Sequence, residues 1–245
     1  MTAPTMVSLK EKTALVTGAS SGVGRAIALE LAALGAALLL VARTPQKLEY
    51  VAQEIRRARG TAEIFAVDLT DDTSLNLLGI ELKKRVTRVD FLVHSAAIFR
   101  MGPIATAPVS DFDALYRCNV RAPFALTQML LPELIATRGF VAFINSTAGD
   151  RTHANVSQYA ATKHALKAIA DTLRLENAAR GVRVLSVMLG RTATPMQEEV
   201  ARLEGSAYDP SKLLQPQDVA RAVVNVLTAP AGLEVTNLYL RPTHA

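Results

Sequence analysis

The stretch from Thr13 to Ala26, Thr-Ala-Leu-Val-Thr-Gly-Ala-Ser-Ser-Gly-Val-Gly-Arg-Ala, restricts the fold more than any other part of this chain. The apolar run Ala14-Leu15-Val16 reads as a buried strand, and Ala26 to Ala32 reads as a helix. Between them stand Gly18, Gly22 and Gly24. Gly18 allows a sharp turn out of the strand. The missing side chain at Gly22 would let a pyrophosphate approach the backbone, and Gly24 would let the helix pack close to the strand. The helix N-terminus would offer unpaired N–H groups and a partial positive charge to phosphates. A tight turn that binds nothing uses glycines too, but a G-x-x-x-G-x-G spacing at the first βα turn favours a dinucleotide.

Behind this unit, apolar runs and helical patterns alternate. Strands are expected at 36–42, 62–67, 89–94, 140–144, 182–188 and 234–240. Gly35 reads as the C-cap of the first helix. A second helix should run from Pro45 to about Arg59, with Thr44 as N-cap, and a third from Asp71 or Asp72 to about Arg85. A long helix capped by Ser110 should carry Asn119 and continue past Pro123, which would bend it. Helices at 157–179, closed by Gly181, and 217–228 complete the pattern. Residues 1–12 read as a polar arm, and 195–215 as a helical insertion placed to act as a substrate lid.

No repeat and no linker rich in Gly and Ser interrupts the alternation. The expectation is an α/β fold: a single domain over 1–245, with a Rossmann-type doubly wound parallel sheet of about seven strands and helices on both faces. The 50% hydrophobic content fits a sheet covered on both sides. In such sheets ligands bind at the carboxyl ends of the strands. Gly18, Arg43, Asp68, Ser95, Ser146 and Gly190 each follow an expected strand end, so they should converge on one sheet edge.

Composition narrows the partners. The net charge of +5 is spread along the chain and suits an anionic cofactor at least as well as nucleic acid. Aromatics are only 5%, a poor supply for stacking on RNA bases, so no nucleic-acid partner is expected. Cys118 is the single cysteine, which rules out an intrachain disulfide, and no Cys/His cluster has zinc spacing. The first dozen residues lack the apolar core of a signal peptide, and no apolar run reaches membrane-spanning length. A cytoplasmic protein with no membrane partner is expected.

Tyr159 and Lys163 lie four apart on an expected helix and share a face. An ammonium beside a phenol favours the phenolate and lowers its pKa, so such a tyrosine can exchange a proton near neutral pH. Ser146 follows a strand end and could hydrogen-bond the same substrate oxygen.

With these residues the chain resembles the short-chain dehydrogenase/reductase family across essentially its whole length. The resemblance rests on Thr17-Gly18-Ala19-Ser20-Ser21-Gly22-Val23-Gly24, Asp68-Leu69, Asn119, Asn145-Ser146-Thr147-Ala148-Gly149 and Tyr159-Ala160-Ala161-Thr162-Lys163, in that order. It implies an oxidoreductase that moves a hydride between a nicotinamide and a carbonyl or secondary alcohol, with no metal. Tyr159 would be the general acid or base, Ser146 would hold the oxygen, and Lys163 would tune Tyr159 and bind the nicotinamide ribose. Asn119 would anchor a water in a proton relay. Gly18, Ser20, Ser21, Gly22, Val23 and Gly24 would bind the cofactor. Asp68 and the Leu69 backbone would meet the adenine, Ala96 would line the cofactor, and Thr194 would meet the carboxamide. Without the resemblance, Asp68 and Thr194 read better as turn and capping residues.

Arg43 bears on the cofactor. An acid about twenty residues past the glycine motif would bind the free ribose hydroxyls of NAD. Here Arg43 stands nineteen after Gly24 and is followed by Thr44. A guanidinium can pair with a 2′-phosphate, with Ser20 and Arg25 nearby, so NADP(H) is expected over NAD(H).

Three segments depart from the family pattern. His94-Ser95-Ala96-Ala97 replaces Asn-Asn-Ala-Gly, with His94 read as structural; Leu189-Gly190 replaces Pro-Gly; and Thr192 replaces Val or Ile. Near the substrate, Arg100, Arg151, His153 and Arg191 could attract a carboxylate or phosphate, or be solvated loop charges. Met196, Val200, Leu203 and Tyr208 could add apolar contacts from the lid. The ending Asn237-Leu238-Tyr239-Leu240-Arg241-Pro242-Thr243 lacks the Asp-Gly-Gly found in many relatives, which disfavours an acyl-carrier reductase. That reductase of 3-oxoacyl thioesters stays an alternative, as does a non-catalytic NADP(H)-binding sensor. The resemblance further implies a homo-oligomer, a dimer or tetramer, built through the two long helices.

Overall fold

The computed structural model describes residues 7–243. Seven strands form one sheet: β1 (Thr13–Thr17), β2 (Ala37–Ala42), β3 (Ala62–Ala66), β4 (Phe91–His94), β5 (Phe140–Ser146), β6 (Arg183–Leu189) and β7 (Asn237–Leu240). Their order is β3-β2-β1-β4-β5-β6-β7, and every neighbouring pair is parallel. Eight helices connect them: α1 (Gly22–Ala33), α2 (Pro45–Arg57), α3 (Asp72–Arg85), α4 (Val109–Tyr116), α5 (Ala122–Thr137), α6 (Ser157–Asn177), α7 (Pro195–Glu204) and α8 (Pro216–Leu227).

The two-residue alternation of the strands sorts the core into two layers. Val16, Leu38, Leu40 and Val93 face α1, α2 and α8, where Ile27, Leu31, Leu48, Val51 and Val223 are buried. Leu15, Leu39, Val41, Leu92 and Phe143 face α3, α5 and α6 through Leu75, Leu126 and Leu166. With both faces covered, the central strands β1, β2 and β4 are largely apolar, as a buried parallel sheet requires. The strand order switches direction between β1 and β4, and a cleft forms there at the carboxyl ends.

Four local expectations are corrected. Ser110 is not a cap: the helix starts at Val109 with Pro108 as N-cap, so Ser110 sits inside the first turn. The long helix is not one bent α-helix. It widens into a π-turn at Arg117–Arg121 before α5 resumes. Pro123 has no N–H, and widening just upstream rearranges the bonds it cannot make. The last strand begins at Asn237, three residues later than its apolar pattern suggests. The start of the chain is not simply a polar arm, because Leu9 is buried and its N–H bonds the Leu34 carbonyl at 2.8 Å; residues 1–6 lie outside the described residues. Asp71, rather than Asp72, caps α3 by accepting from the Ser74 N–H at 2.8 Å.

Candidate active site

A cleft of about 540 Å³ runs along the carboxyl edge of the sheet. Gly18, Arg43, Asp68, Ser95, Ser146 and Gly190, each placed by a different strand end, all line it.

The β1–α1 turn forms one wall. Gly18 has a φ of +67°, and a Cβ there would stand 2.8 Å from the Ala96 nitrogen. At Gly24 a Cβ would lie 2.5 Å from the Gly18 carbonyl oxygen, so only glycine lets α1 pack this close. Thr17 supports the wall from below, its hydroxyl accepting from the Ser95 and Ala96 N–H groups at 3.1 Å each. Ser21 is the N-cap of α1 but makes no side-chain capping bond, which leaves its hydroxyl and the first helical N–H groups facing the cleft. Gly22 faces Thr194, and a Cβ on Gly22 would come within 3.0 Å of the threonine methyl. Together these features make a narrow, donor-rich cradle that fits a pyrophosphate.

Ser20, Val23, Thr44, Leu69 and Ala96 also line the cleft. Arg43 is exposed, and among the described residues no acid pairs with it. Arg25 does not join it. Its guanidinium bonds Glu54 at 2.5 Å, so the expected second cation is already neutralised. Lys47, which sequence reading missed, lines the cleft instead. It sits four residues past Arg43, in the first turn of α2, and that spacing was the available signal. Asp68 is partly a turn residue: one of its oxygens accepts from the Thr70 N–H at 2.9 Å and hydroxyl at 2.7 Å. Thr194 likewise caps α7, accepting from the Gln197 N–H at 3.2 Å. Both line the cleft while holding their loops.

At the other end, Ser146, Tyr159 and Lys163 meet. The side chain of Asn145 joins the two elements that carry them. Its Nδ2 donates to the Lys163 carbonyl at 3.1 Å and its Oδ1 accepts from the Ser146 N–H at 2.9 Å. Lys163 is buried and donates through Nζ to the Ile144 carbonyl at 3.2 Å. Burial lowers its pKa to about 8. Tyr159 is partly open to the cleft, yet protein packs closely enough around its hydroxyl to push the pKa up to about 12, opposed in part by the neighbouring Ser146 hydroxyl. The expected lowering of Tyr159 by lysine is therefore not what the protein's own atoms produce. The ammonium lies 5.6 Å from the ring centroid and is bonded to a carbonyl rather than to the phenol. The phenol is held protonated.

Asn119 lies outside the cleft, fully buried behind it. Its Oδ1 accepts from the Ile98 N–H at 2.9 Å, and its Nδ2 donates to the Ile98 carbonyl at 3.0 Å and the Thr162 hydroxyl at 3.2 Å. The amide pins the segment after β4 against α6. Its main-chain carbonyl has no α-helical donor, because residue 123 is proline.

His94 is structural, as expected. It is buried, stacks on Phe143 with ring centroids 5.0 Å apart, and shares a 2.9 Å hydrogen bond with Thr127. Burial lowers its pKa to about 3, so the ring stays neutral. Cys118 lines the cleft, and burial pushes its thiol up to about 11. Of the four cationic candidates near the substrate, Arg100 and Arg151 do not line the cleft, while His153 and Arg191 do. Arg191 is paired with Glu204 at 2.7 and 2.8 Å, a partner that no sequence spacing suggested. From the expected lid, Met196 and Val200 reach the cleft; Leu203 and Tyr208 do not.

Among the described residues no helix is long and apolar enough to cross a membrane, and no cluster of His, Cys, Asp and Glu could hold a metal ion. The short chain dehydrogenase family model matches residues 12–205. An uncharacterized oxidoreductase of Staphylococcus epidermidis is 32% identical over 238 residues, covering 97% of this chain and all of the relative. A metagenomic short-chain oxidoreductase solved in complex with NADP superposes with a TM-score of 0.82 at 30% identity, over 96% of this chain and 98% of that one. A 7α-hydroxysteroid dehydrogenase solved with NADH and 7-oxo glycochenodeoxycholic acid superposes with a TM-score of 0.88 at 25% identity, over 100% and 98%. The sheet order, the glycine cradle and these matches together establish that the chain belongs to the short-chain dehydrogenase/reductase family of NAD(P)-dependent oxidoreductases.

Proposed function

We propose that this protein is an NADPH-dependent carbonyl reductase, reversible as an alcohol dehydrogenase. The observation that carries the reading is the Ser146–Tyr159–Lys163 cluster at the end of a cleft that starts in a pyrophosphate cradle. Ser20, Ser21 and the amides of Gly22, Val23 and Gly24 would hold the pyrophosphate, with Asp68 and Leu69 at the adenine, Ala96 along the cofactor and Thr194 at the carboxamide. When bound, the nicotinamide supplies the hydride.

The protein's part is the proton and the geometry. Ser146 holds the carbonyl oxygen, and the protonated Tyr159 hydroxyl donates to it as negative charge develops. With the cofactor bound, Lys163 would orient the ribose and favour the phenolate left behind. The Asn119 carbonyl, left without an α-helical donor, would hold a water that resupplies the proton. NADPH is preferred because Arg43 and Lys47, which no acid pairs with among the described residues, offer two cations where an acid would favour NADH. The Thr44 hydroxyl makes no capping bond and is available to the same phosphate. The segment around α7 acts as the substrate lid on a single domain. The apolar side chains Val109, Phe112, Tyr116 and Phe124, exposed on α4 and α5, suit a homo-oligomeric interface. A cytoplasmic setting suits an enzyme using this cofactor.

The test is oxidation of NADPH and of NADH by purified protein over ketones, aldehydes, 2-oxo acids, 3-oxo esters and quinones, with Tyr159→Phe alongside. NADPH-driven turnover that vanishes in the variant is the expected result. Turnover with NADH alone would overturn the cofactor assignment. NADPH binding without turnover of any carbonyl would favour the sensor.

A further inference from the structure

The charge of the substrate is legible at the Tyr159 end of the cleft, given the oxidoreductase reading on which this inference rests. Among the described residues, four lysines and arginines line the cleft: Arg43, Lys47, Lys163 and Arg191. Arg43 and Lys47 follow β2, and Arg191 follows β6. Four strand spacings of about 4.8 Å separate them, about 19 Å in all. Lys163 is buried and bonded to the Ile144 carbonyl. Arg191 is therefore the cation positioned for an anionic substituent near the reacting oxygen.

Its charge is already answered. The Arg191 guanidinium donates to both oxygens of Glu204, at 2.8 and 2.7 Å. A two-pronged pair of this kind is the strongest form of Arg–carboxylate bonding. Glu204 ends α7 and itself lines the cleft, so an entering carboxylate meets a competing acid rather than a free arginine. Nearby walls are apolar, with Phe99, Leu189, Met196 and Val200 on the cleft. Phe99 packs edge-on against Tyr159, with centroids 4.9 Å apart. His153 lies exposed on the loop before α6 and also lines the cleft.

We propose that Glu204 is a specificity-determining residue: by holding Arg191 it selects uncharged, apolar carbonyl compounds and turns away those with a carboxylate or phosphate beside the carbonyl.

A matched pair tests this, methyl benzoylformate against benzoylformate, each reduced with NADPH. The wild-type protein should favour the ester in kcat/KM by about tenfold or more. In Glu204→Gln the acid-to-ester ratio should rise about tenfold, through a lower KM for the acid. In the double variant Glu204→Gln/Arg191→Gln that gain should disappear. Wild-type preference for the acid, or an unchanged ratio in Glu204→Gln, would overturn the proposal. If neither compound is reduced, the carbonyl-reductase reading is what has failed. Calorimetric titration of the same two compounds into the NADP⁺-loaded protein then decides the charge preference separately: tighter ester binding supports it, and tighter acid binding overturns it. A thermal melt of each variant shows that it is folded.

Discussion

Arg43 and Arg191 hold corresponding places at opposite ends of one cleft. Each follows a strand at the carboxyl edge of the sheet, and each lines the cavity. Arg43 has no acidic partner among the described residues and keeps its charge open to the cleft. Arg191 is neutralised by Glu204, which α7 brings back from thirteen residues downstream. The topology places an arginine at the cleft; the neighbour it meets there decides whether its charge remains available to a ligand. At the β2 end that availability suits a phosphate, and at the β6 end its loss suits a neutral substrate.

The two ends share one reacting group, so the largest effect should come from Tyr159. Tyr159→Phe is expected to lower kcat by roughly 10²–10⁴-fold, the usual contribution of a positioned acid, while NADPH affinity measured by fluorescence stays within about threefold. A kcat within threefold of wild type would remove the shared centre from the comparison. The next effect separates the ends. Arg43→Ala removes a charge-assisted contact and should cost about 10–100-fold in kcat/KM for NADPH, with NADH changed far less. Equal losses for both cofactors would mean that Arg43 does not read the phosphate.

The third is a pH profile. Burial lowers Lys163 to about 8, so its ammonium is present below that pH and lost above it. Tyr159, pushed up to about 12, stays protonated throughout. Carbonyl reduction should therefore be flat to about pH 7.5 and fall about tenfold per unit well above pH 8. A profile flat to pH 10 would show that Lys163 does not tune the centre in the charged form. The smallest effect is expected from Lys47→Ala, about threefold in KM for NADPH, because a flexible ammonium makes a looser phosphate contact than the guanidinium fork. A larger loss than that of Arg43→Ala would reverse the ranking at this end.

The cofactor end was the more legible one for a physical reason. Its parts are local: the turn at Gly18, the close packing at Gly24 and the N-terminus of α1 all lie within one strand-turn-helix unit, and short-range sterics write themselves into short-range sequence. Helical spacing, a strand end and the family resemblance singled out Ser146, Tyr159 and Lys163, and the three line one cleft. Asn119 was legible by its place in the chain, but nothing in its own identity shows that Ile98 and Thr162 occupy its amide. The Arg25–Glu54 pair and the Asn145 clamp escaped for the same reason: each depends on a partner from another element.

By itself, then, the sequence determined the alternating strands and helices, the covered parallel sheet, the glycine cradle and the residue types at each strand end. These follow from hydrophobic periodicity and backbone sterics, which act over a few residues. Only the tertiary structure decided which charges stay free, which hydroxyls face the cleft and whether the central phenol holds its proton. Those properties depend on burial and on partners distant in sequence, and the electrostatics of a side chain depend on what surrounds it as much as on what it is.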